Sequence, residues 1–289
     1  MQLVSRAAGI PAVLGLVVSI AFAVPAAHSE TPLERGTYLV RGPVGCGNCH
    51  TPKGADGKAL PDQELAGGYE FKEPVFDAVA ANITPDPETG IGKWTDQQII
   101  DAIRNGKRPD GTIIGPPMPI EFYRNISDTD ARAIVAYLRS VKPISHKLPK
   151  STYNIPLPPS YGPPVTHVPD VPRANKVAYG HYLANIAHCL ECHTKRTPTG
   201  LDTSKLGAGG REIPAFTGGV IMSANLTPAN PDGIAHWTNA QVEKTIADGV
   251  RPDGRQLVRV MAFDWYRNTR KDDLDALVAY LRTLKPATP

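Results

Sequence analysis

The pentapeptide Cys46-Gly47-Asn48-Cys49-His50 recurs as Cys189-Leu190-Glu191-Cys192-His193, and the two copies use all four cysteines of the chain. Each copy reads C-x-x-C-H. That pattern is the attachment signature of c-type haem: the thiols form thioether bonds at the porphyrin edge, and the adjacent imidazole stands under the iron as proximal ligand. Two covalently bound haem c groups are therefore expected, one on Cys46, Cys49 and His50, the other on Cys189, Cys192 and His193. The competing readings are a redox or structural disulfide and a Cys₄ zinc site built from two C-x-x-C pairs. Histidine directly after both pairs argues against them. No cysteine is left over for a thiolate nucleophile.

The rest of the chain repeats with the motifs. Adding 143 to a position in the first half gives its counterpart, so Cys46 maps to Cys189 and His50 to His193. The same offset pairs Asn82-Ile83-Thr84-Pro85 with Asn225-Leu226-Thr227-Pro228, Trp94-Thr95 with Trp237-Thr238, and Arg108-Pro109-Asp110-Gly111 with Arg251-Pro252-Asp253-Gly254. It also pairs Tyr123-Arg124-Asn125 with Tyr266-Arg267-Asn268 and Val135-Ala136-Tyr137-Leu138-Arg139 with Val278-Ala279-Tyr280-Leu281-Arg282. A domain-sized unit occurs twice, so a residue at a repeated position is expected to do one job twice.

This bears on the far side of each iron. Of four methionines, only Met118 and Met261 are in register, each 68 residues after its motif histidine. A thioether is a soft, neutral ligand that suits haem iron and raises its potential, so Met118 and Met261 are expected as the second axial ligands. Core filling is the common alternative for methionine. Met222 aligns with Val79 and is expected to pack. His181, His188 and His236 are rival ligands, but no histidine outside the motifs is repeated.

At 289 residues the chain has room for two domains. The formal net charge is +3, with no basic stripe or lysine run, so nucleic acid is not an expected partner. Arg6, the apolar run Ile10 to Val24 and the small residues Ala21, Ala23, Ala26 and Ala27 read as a secretory signal over residues 1–28. The run is short of the roughly 20 apolar residues that span a bilayer. Export to a bacterial periplasm agrees with c-type haem, which is attached outside the cytoplasm. Membrane association is expected only through a partner or an uncleaved N-terminus.

Nine prolines between Pro143 and Pro172, including Pro158-Pro159 and Pro163-Pro164, preclude a helix and favour extended polyproline II. The expected division is a signal (1–28), one domain (29–145), a Pro-rich linker (146–172) and a second domain (173–289). Within each half the coarse pattern is helices and loops. Leu33 to Val40 and Val177 to Ile186 open the halves, and a Gly- and Pro-rich loop follows each motif. Thr95 with Gln98 and Thr238 with Gln241 form capping-box patterns, and Gly106 and Gly249 stop those helices. Final helices are expected over about 128–141 and 271–284, with apolar positions on one face. No segment shows sustained strand alternation, so the expected class is all-α.

Each half resembles a class I cytochrome c domain. The family implies a close crossing of first and last helices, a glycine against an aromatic, which Gly36 with Tyr137 and Gly180 with Tyr280 fit. The motifs Asn82-Ile83-Thr84-Pro85-Asp86, Gly90-Ile91-Gly92-Lys93-Trp94-Thr95-Asp96 and Ser127-Asp128 are similar to the multihaem cytochrome c subunits of periplasmic alcohol, aldehyde and gluconate dehydrogenases. Familiar members carry three haem domains, whereas this chain has two motifs. The resemblance implies two tandem cytochrome c domains carrying electrons from a periplasmic dehydrogenase to a cytochrome, oxidase or quinone pool. It implies an electron-transfer subunit rather than an enzyme, with no catalytic residue. The alternatives are a dihaem cytochrome c peroxidase, which needs unlike halves with one open iron, and a thiosulfate dehydrogenase-like enzyme, whose cysteine-ligated form has no spare cysteine here. Trp94 and Trp237 are expected to give indole N–H groups to haem propionates. Arg108 and Arg251 are candidates for the same anions, and Asn82 and Asn225 order that region or shape its turns.

Overall fold

The computed structural model describes Gln2 and residues 30–289 except 198, 199, 216, 217 and 230. The signal read over residues 1–28 lies, Gln2 aside, outside the described residues. Residues Thr31–Pro289 pack as one unit. Among the described residues no helix is long and apolar enough to cross a membrane.

The first half runs α1 (Pro32–Arg41), a single turn α2 (Gly47–His50), strands β1 (Glu70–Glu73) and β2 (Phe76–Val79), α3 (Asp96–Asn105), a short α4 (Ile120–Tyr123) and α5 (Asp128–Ser140). After strand β3 (Thr152–Tyr153) the second half repeats the plan. It has α6 (Lys176–Ile186), α7 (Cys189–Cys192), strands β4 (Arg196–Thr197), β5 (Gly200–Leu201), β6 (Glu212–Pro214) and β7 (Val220–Met222), then α8 (Asn239–Asp248), α9 (Phe263–Tyr266) and α10 (Lys271–Leu281). Local chemistry sets the middle helices. Thr95 and Gln98, and Thr238 and Gln241, exchange side-chain and backbone hydrogen bonds at the N-termini. Gly106 and Gly249 end these helices at φ 62° and 69°, where glycine carries no Cβ penalty.

The strands overturn the all-α expectation. The loops after the motifs close into small antiparallel sheets, ordered β1-β2-β3, β4-β5 and β6-β7. The longest of these strands has four residues. A period of two cannot be read from so short a run. Backbone pairing between the arms of a Gly- and Pro-rich loop, not a hydrophobic alternation, makes these ribbons.

The last helix of each half crosses the first at van der Waals contact. A Cβ on Gly36 would lie 1.9 Å from the carbonyl oxygen of Ala133 and 3.0 Å from Cβ of Tyr137. On Gly180 it would lie 1.9 Å from the carbonyl oxygen of Ala276 and 2.9 Å from Cβ of Tyr280. A backbone carbonyl cannot swing aside as a side chain can. Gly36→Ala or Gly180→Ala is expected to cost about 3 kcal/mol, the upper end of overpacking penalties, read as a lowered midpoint in denaturant with an unchanged slope. A midpoint within error of the parent would show that the helices slide apart freely.

The halves are joined by a reciprocal polar contact. Tyr38 on α1 donates to Asp273 on α10 (2.5 Å), and Tyr182 on α6 donates to Asp130 on α5 (2.5 Å). Burial, reinforced by the hydrogen bond to Asp273, raises the Tyr38 phenol well above its ordinary pKa, so it remains a donor. Arg35 pairs with the same Asp130 through two bonds of 2.7 and 2.8 Å, with both side chains nearly buried. Asp130→Ala removes the counter-charge but leaves the guanidinium in place. The expected loss is about 3–5 kcal/mol, the usual result of breaking one side of a buried pair. Calorimetry showing a loss below 1 kcal/mol would mean that Arg35 escapes to water. One buried apolar cluster runs through both halves beside this contact.

The Pro-rich segment lies along the first half rather than hanging free. Tyr153 pairs with Phe76 and Thr152 with Asp77. Tyr161 donates to the carbonyl of Ile114 (2.8 Å), and Val165 N–H donates to Asn105 Oδ1 (2.8 Å). Val168 and Asp128 exchange backbone and side-chain bonds at the start of α5.

Candidate functional site

Each half contains a large cavity with a mainly apolar lining. The first, of about 290 Å³, is lined by Cys46, Cys49, His50, Trp94, Arg108 and Met118 among others. The second, of about 220 Å³, is lined by Cys189, Cys192, His193, Trp237, Arg251 and Met261. All ten expected binding residues thus converge in two groups of five, each with one cysteine pair, one histidine, one methionine and one tryptophan. The helices supply the apolar wall. Ile99, Ile103, Ile134 and Leu138 face the first cavity, and their counterparts Val242, Ile246, Leu277 and Leu281 face the second.

The histidines are held in one orientation. His50 Nδ1 lies 2.7 Å from the carbonyl of Ala81, and His193 Nδ1 lies 2.7 Å from that of Ala224. A carbonyl only accepts, so Nδ1 carries the proton and Nε2 keeps its lone pair. Burial lowers the pKa of both imidazoles, favouring this neutral form. A neutral imidazole with its second nitrogen tied to a carbonyl is the form that ligates a metal. The carbonyls lie one residue before Asn82 and Asn225.

None of the four cysteines is in a disulfide. Burial pushes Cys46 and Cys189 up to about 12 and Cys49 and Cys192 up to about 11. The apolar wall around each pair disfavours the thiolate form. Among the described residues no group of three or more His, Cys, Asp or Glu side chains is arranged to hold a metal ion.

A flat apolar macrocycle with anionic side groups fits this setting. Thiols and an Nε2 lone pair line each cavity together with a thioether. Arg251 Nε is buried without a hydrogen-bond partner at the second cavity. Its guanidinium lies 5.1 Å from the Trp237 ring, so a cation and an indole share one rim. Arg108 at the first cavity donates to the carbonyl of Ile113 (3.0 Å).

The asparagines have another task. Asn82 Nδ2 donates to the carbonyl of Ile144 (2.7 Å), and Asn225 Nδ2 to that of Ala287 (2.7 Å). They tie the loop behind each histidine to the chain beyond the last helix. Arg139 and Arg282 act similarly and were not singled out from sequence, although both are repeated. Arg139 donates to the carbonyl of Trp94, and Arg282 to that of Trp237, from the end of the last helix. The tryptophan loops are thereby fixed over the cavities.

The rival histidines separate clearly. His236 is exposed, and His181 packs against Tyr280 at a ring distance of 4.9 Å. His188 lines both cavities and meets the ring of Tyr123 edge-on at 6.1 Å. Pro43 and Asn48 of the first half also line the second cavity, so the two cavities abut across the joint. Tyr123 and Tyr266, buried and repeated, line the first and second cavity respectively. Met222 is not packed in the core: it stands 59% exposed at the rim of the second cavity.

Comparison with known proteins gives concordant findings. The family described as Cytochrome c matches residues 35–142. The alcohol dehydrogenase (quinone), cytochrome c subunit of Gluconobacter oxydans (strain 621H) is 32% identical, over 91% of this chain and 58% of that protein. The fructose dehydrogenase cytochrome subunit of Gluconobacter japonicus is 31% identical, over 90% of this chain and 54% of that protein. A protein named diheme cytochrome c-type from Cereibacter sphaeroides is 30% identical, over 82% of this chain and 81% of its own length. The chain spans little more than half the length of the two dehydrogenase subunits.

Proposed function

Because this chain belongs to the cytochrome c family, we propose that it carries two covalent haem c groups and passes electrons from a periplasmic dehydrogenase to a respiratory acceptor. The observation that carries the reading is the duplicated lining: a cysteine pair, a tautomerically fixed histidine and a methionine in each cavity. Cys46 and Cys49, and Cys189 and Cys192, would hold the porphyrins. His50 with Met118, and His193 with Met261, would hold the irons. When bound, the group supplies a one-electron iron couple.

The protein's residues do the rest. With His50 and Met118, or His193 and Met261, as its two side-chain ligands, the bound group would have no position for oxygen, peroxide or substrate, which favours transfer over catalysis. The apolar helices exclude water and keep the surroundings rigid, so little rearranges when the charge changes. Trp94 and Trp237, which line the two cavities, would donate to the carboxylates of the bound group. We divide the chain into domains at 29–145 and 173–289, joined by residues 146–172, with a secretory signal over 1–28. Relatives named as subunits of alcohol and fructose dehydrogenases support a dehydrogenase as donor. A cytochrome, an oxidase or the quinone pool is the acceptor.

The test is direct. A pyridine haemochrome assay on the purified chain should give two haems that resist acidified acetone. The dithionite-reduced spectrum should not change on brief exposure to carbon monoxide, and the chain alone should not turn over alcohols, aldehydes, peroxide or thiosulfate. One haem per chain, or rapid carbon monoxide binding at either haem, would overturn the two-haem sealed-carrier reading.

A further inference from the structure

The two halves differ at one matched surface. In the first half the outer edge of β2 is covered by β3 of the Pro-rich segment, and Tyr153 and Ser151 of that segment help to wall the first cavity. Val79 N–H donates to Ser151 Oγ (3.0 Å), and Asn154 N–H donates to the carbonyl of Val75 (3.0 Å). The counterpart of β2 is β7. Among the described residues its sheet has two strands, β6 and β7, and the outer edge of β7 is open. Ser223 pairs with Arg211, Ile221 with Ile213 and Gly219 with Ala215, so the backbone groups of Val220 and Met222 between these residues point away from β6.

The side chains at this edge are wrong for water. Val220, which does not line the second cavity, is 63% exposed, the most exposed large apolar side chain among the described residues, and Met222 and Val258 stand at the rim of that cavity. Val220 stands where the first half has Asp77, an exposed acid. A solvated strand edge is ordinarily blunted by charge. Here charge has been exchanged for apolar surface at the one matched edge that carries no strap.

We propose that the open edge of β7 is a docking surface for an extended, apolar, proline-flanked segment of the partner protein, added as a third strand as β3 is added to β2. The molecule itself supplies the template. Carried across the repeat, the incoming strand sets one residue opposite Gly219 and the next opposite Val220, the counterparts of Phe76 and Asp77. One difference sets its specificity. Tyr153 packs where a Cβ on Gly115 would lie 2.5 Å from its ring, whereas the counterpart of Gly115 is Val258. The partner's residue at the Tyr153 position must therefore be small, valine or threonine rather than tyrosine. Main-chain pairing supplies affinity and these side chains supply selectivity, as in other strand additions. The consequence rests on the two-haem reading: the strap covers the first cavity, so exchange with the partner runs through the second.

The probe is a synthetic peptide of residues 147–162 of this chain carrying Tyr153→Val, titrated into the ¹⁵N-labelled intact holoprotein. The amides of Val220 and Met222 should shift and exchange more slowly with solvent. Val220→Pro removes an edge N–H that β6 does not use, and should weaken binding at least about tenfold, the factor of about 1.4 kcal/mol. The unaltered Tyr153 peptide should bind more weakly than the Val version. Haem content, assayed on the same samples, reports failure of the two-haem reading separately. No shift at β7 at millimolar peptide, or equal binding by Val220→Pro, would overturn the proposal. So would protection of β7 that grows with protein concentration, which would assign the edge to a second copy. Vesicle binding lost in Met222→Lys, with no peptide response, would assign it to lipid and likewise overturn the proposal.

Discussion

Met118→Ala should lower the potential of one haem by on the order of 100 mV or more, within the roughly 0.8 V range that axial ligation commands, and should halve the weak near-infrared sulfur-to-iron band of the oxidised protein. Met261→Ala should do the same to the other haem. Each methionine precedes the short helix α4 or α9 in its loop and lines the cavity that also contains its half's histidine. A neutral thioether stabilises the ferrous state relative to water or a harder ligand, so its removal favours the ferric state and lowers the potential. The histidines give no such latitude, because the carbonyls of Ala81 and Ala224 fix their orientation. Equal treatment of the two halves is the critical feature. A band unchanged in both variants would show that other groups hold the sixth positions. His188 is the side chain to examine next, since it lines both cavities.

Much of the site was legible because it is written twice. The repeat separated Met118 and Met261 from Met222, and the structure sets the first two, partly buried, in matched loops at the cavities and Met222 at an exposed rim. Capping boxes and C-terminal glycines located the middle helices within a residue, because those signals act within one turn. The close helix crossing was implied by the family resemblance, and Gly36 and Gly180 fit it: at each a backbone carbonyl occupies the space of a side chain.

What was not legible depends on long-range pairing. The all-α expectation failed because strands of two to four residues form only when two loop arms meet. The docking of Thr152 and Tyr153 on β2 could not be read from a polyproline-rich composition, since the partner strand is more than 70 residues away. Arg139 and Arg282 were visible as repeats but silent as to purpose, because the acceptors by which they fix the tryptophan loops are backbone carbonyls, which carry no residue signature. His188 was discounted for lacking a repeat. Its place between the cavities comes from how the halves meet, which no periodicity encodes. The reciprocal bonds of Tyr38 with Asp273 and Tyr182 with Asp130 are of the same kind.

Cys46→Ser combined with Cys49→Ser should yield a chain with one haem in place of two, and the stability lost should far exceed that of any surface substitution. The serines are nearly isosteric, so the loss comes from the missing cofactor. The first cavity, about 290 Å³, is walled by Ile99, Ile103, Ile134 and Leu138. At about 24 cal/mol per Å³ of cavity, leaving it unfilled corresponds to about 7 kcal/mol. That is an upper bound, because the mouth admits water and the walls relax. It is still comparable with the whole stability of an ordinary domain, about 5–15 kcal/mol. The apolar cluster is continuous between the halves, and Arg35, Asp130 and Tyr182 couple α1 and α5 to α6. Loss of the first haem should therefore lower the unfolding temperature of the entire unit, not only of its own half. The second site has its own cysteines, histidine and methionine, so its haem should be retained with its near-infrared band intact. The pyridine haemochrome yield and a calorimetric scan of the purified variant check both points. Two haems in the variant would show that Cys46 and Cys49 are not the attachment points. One haem with an unchanged melting temperature would show that the first cavity closes on itself and that the halves are not energetically coupled.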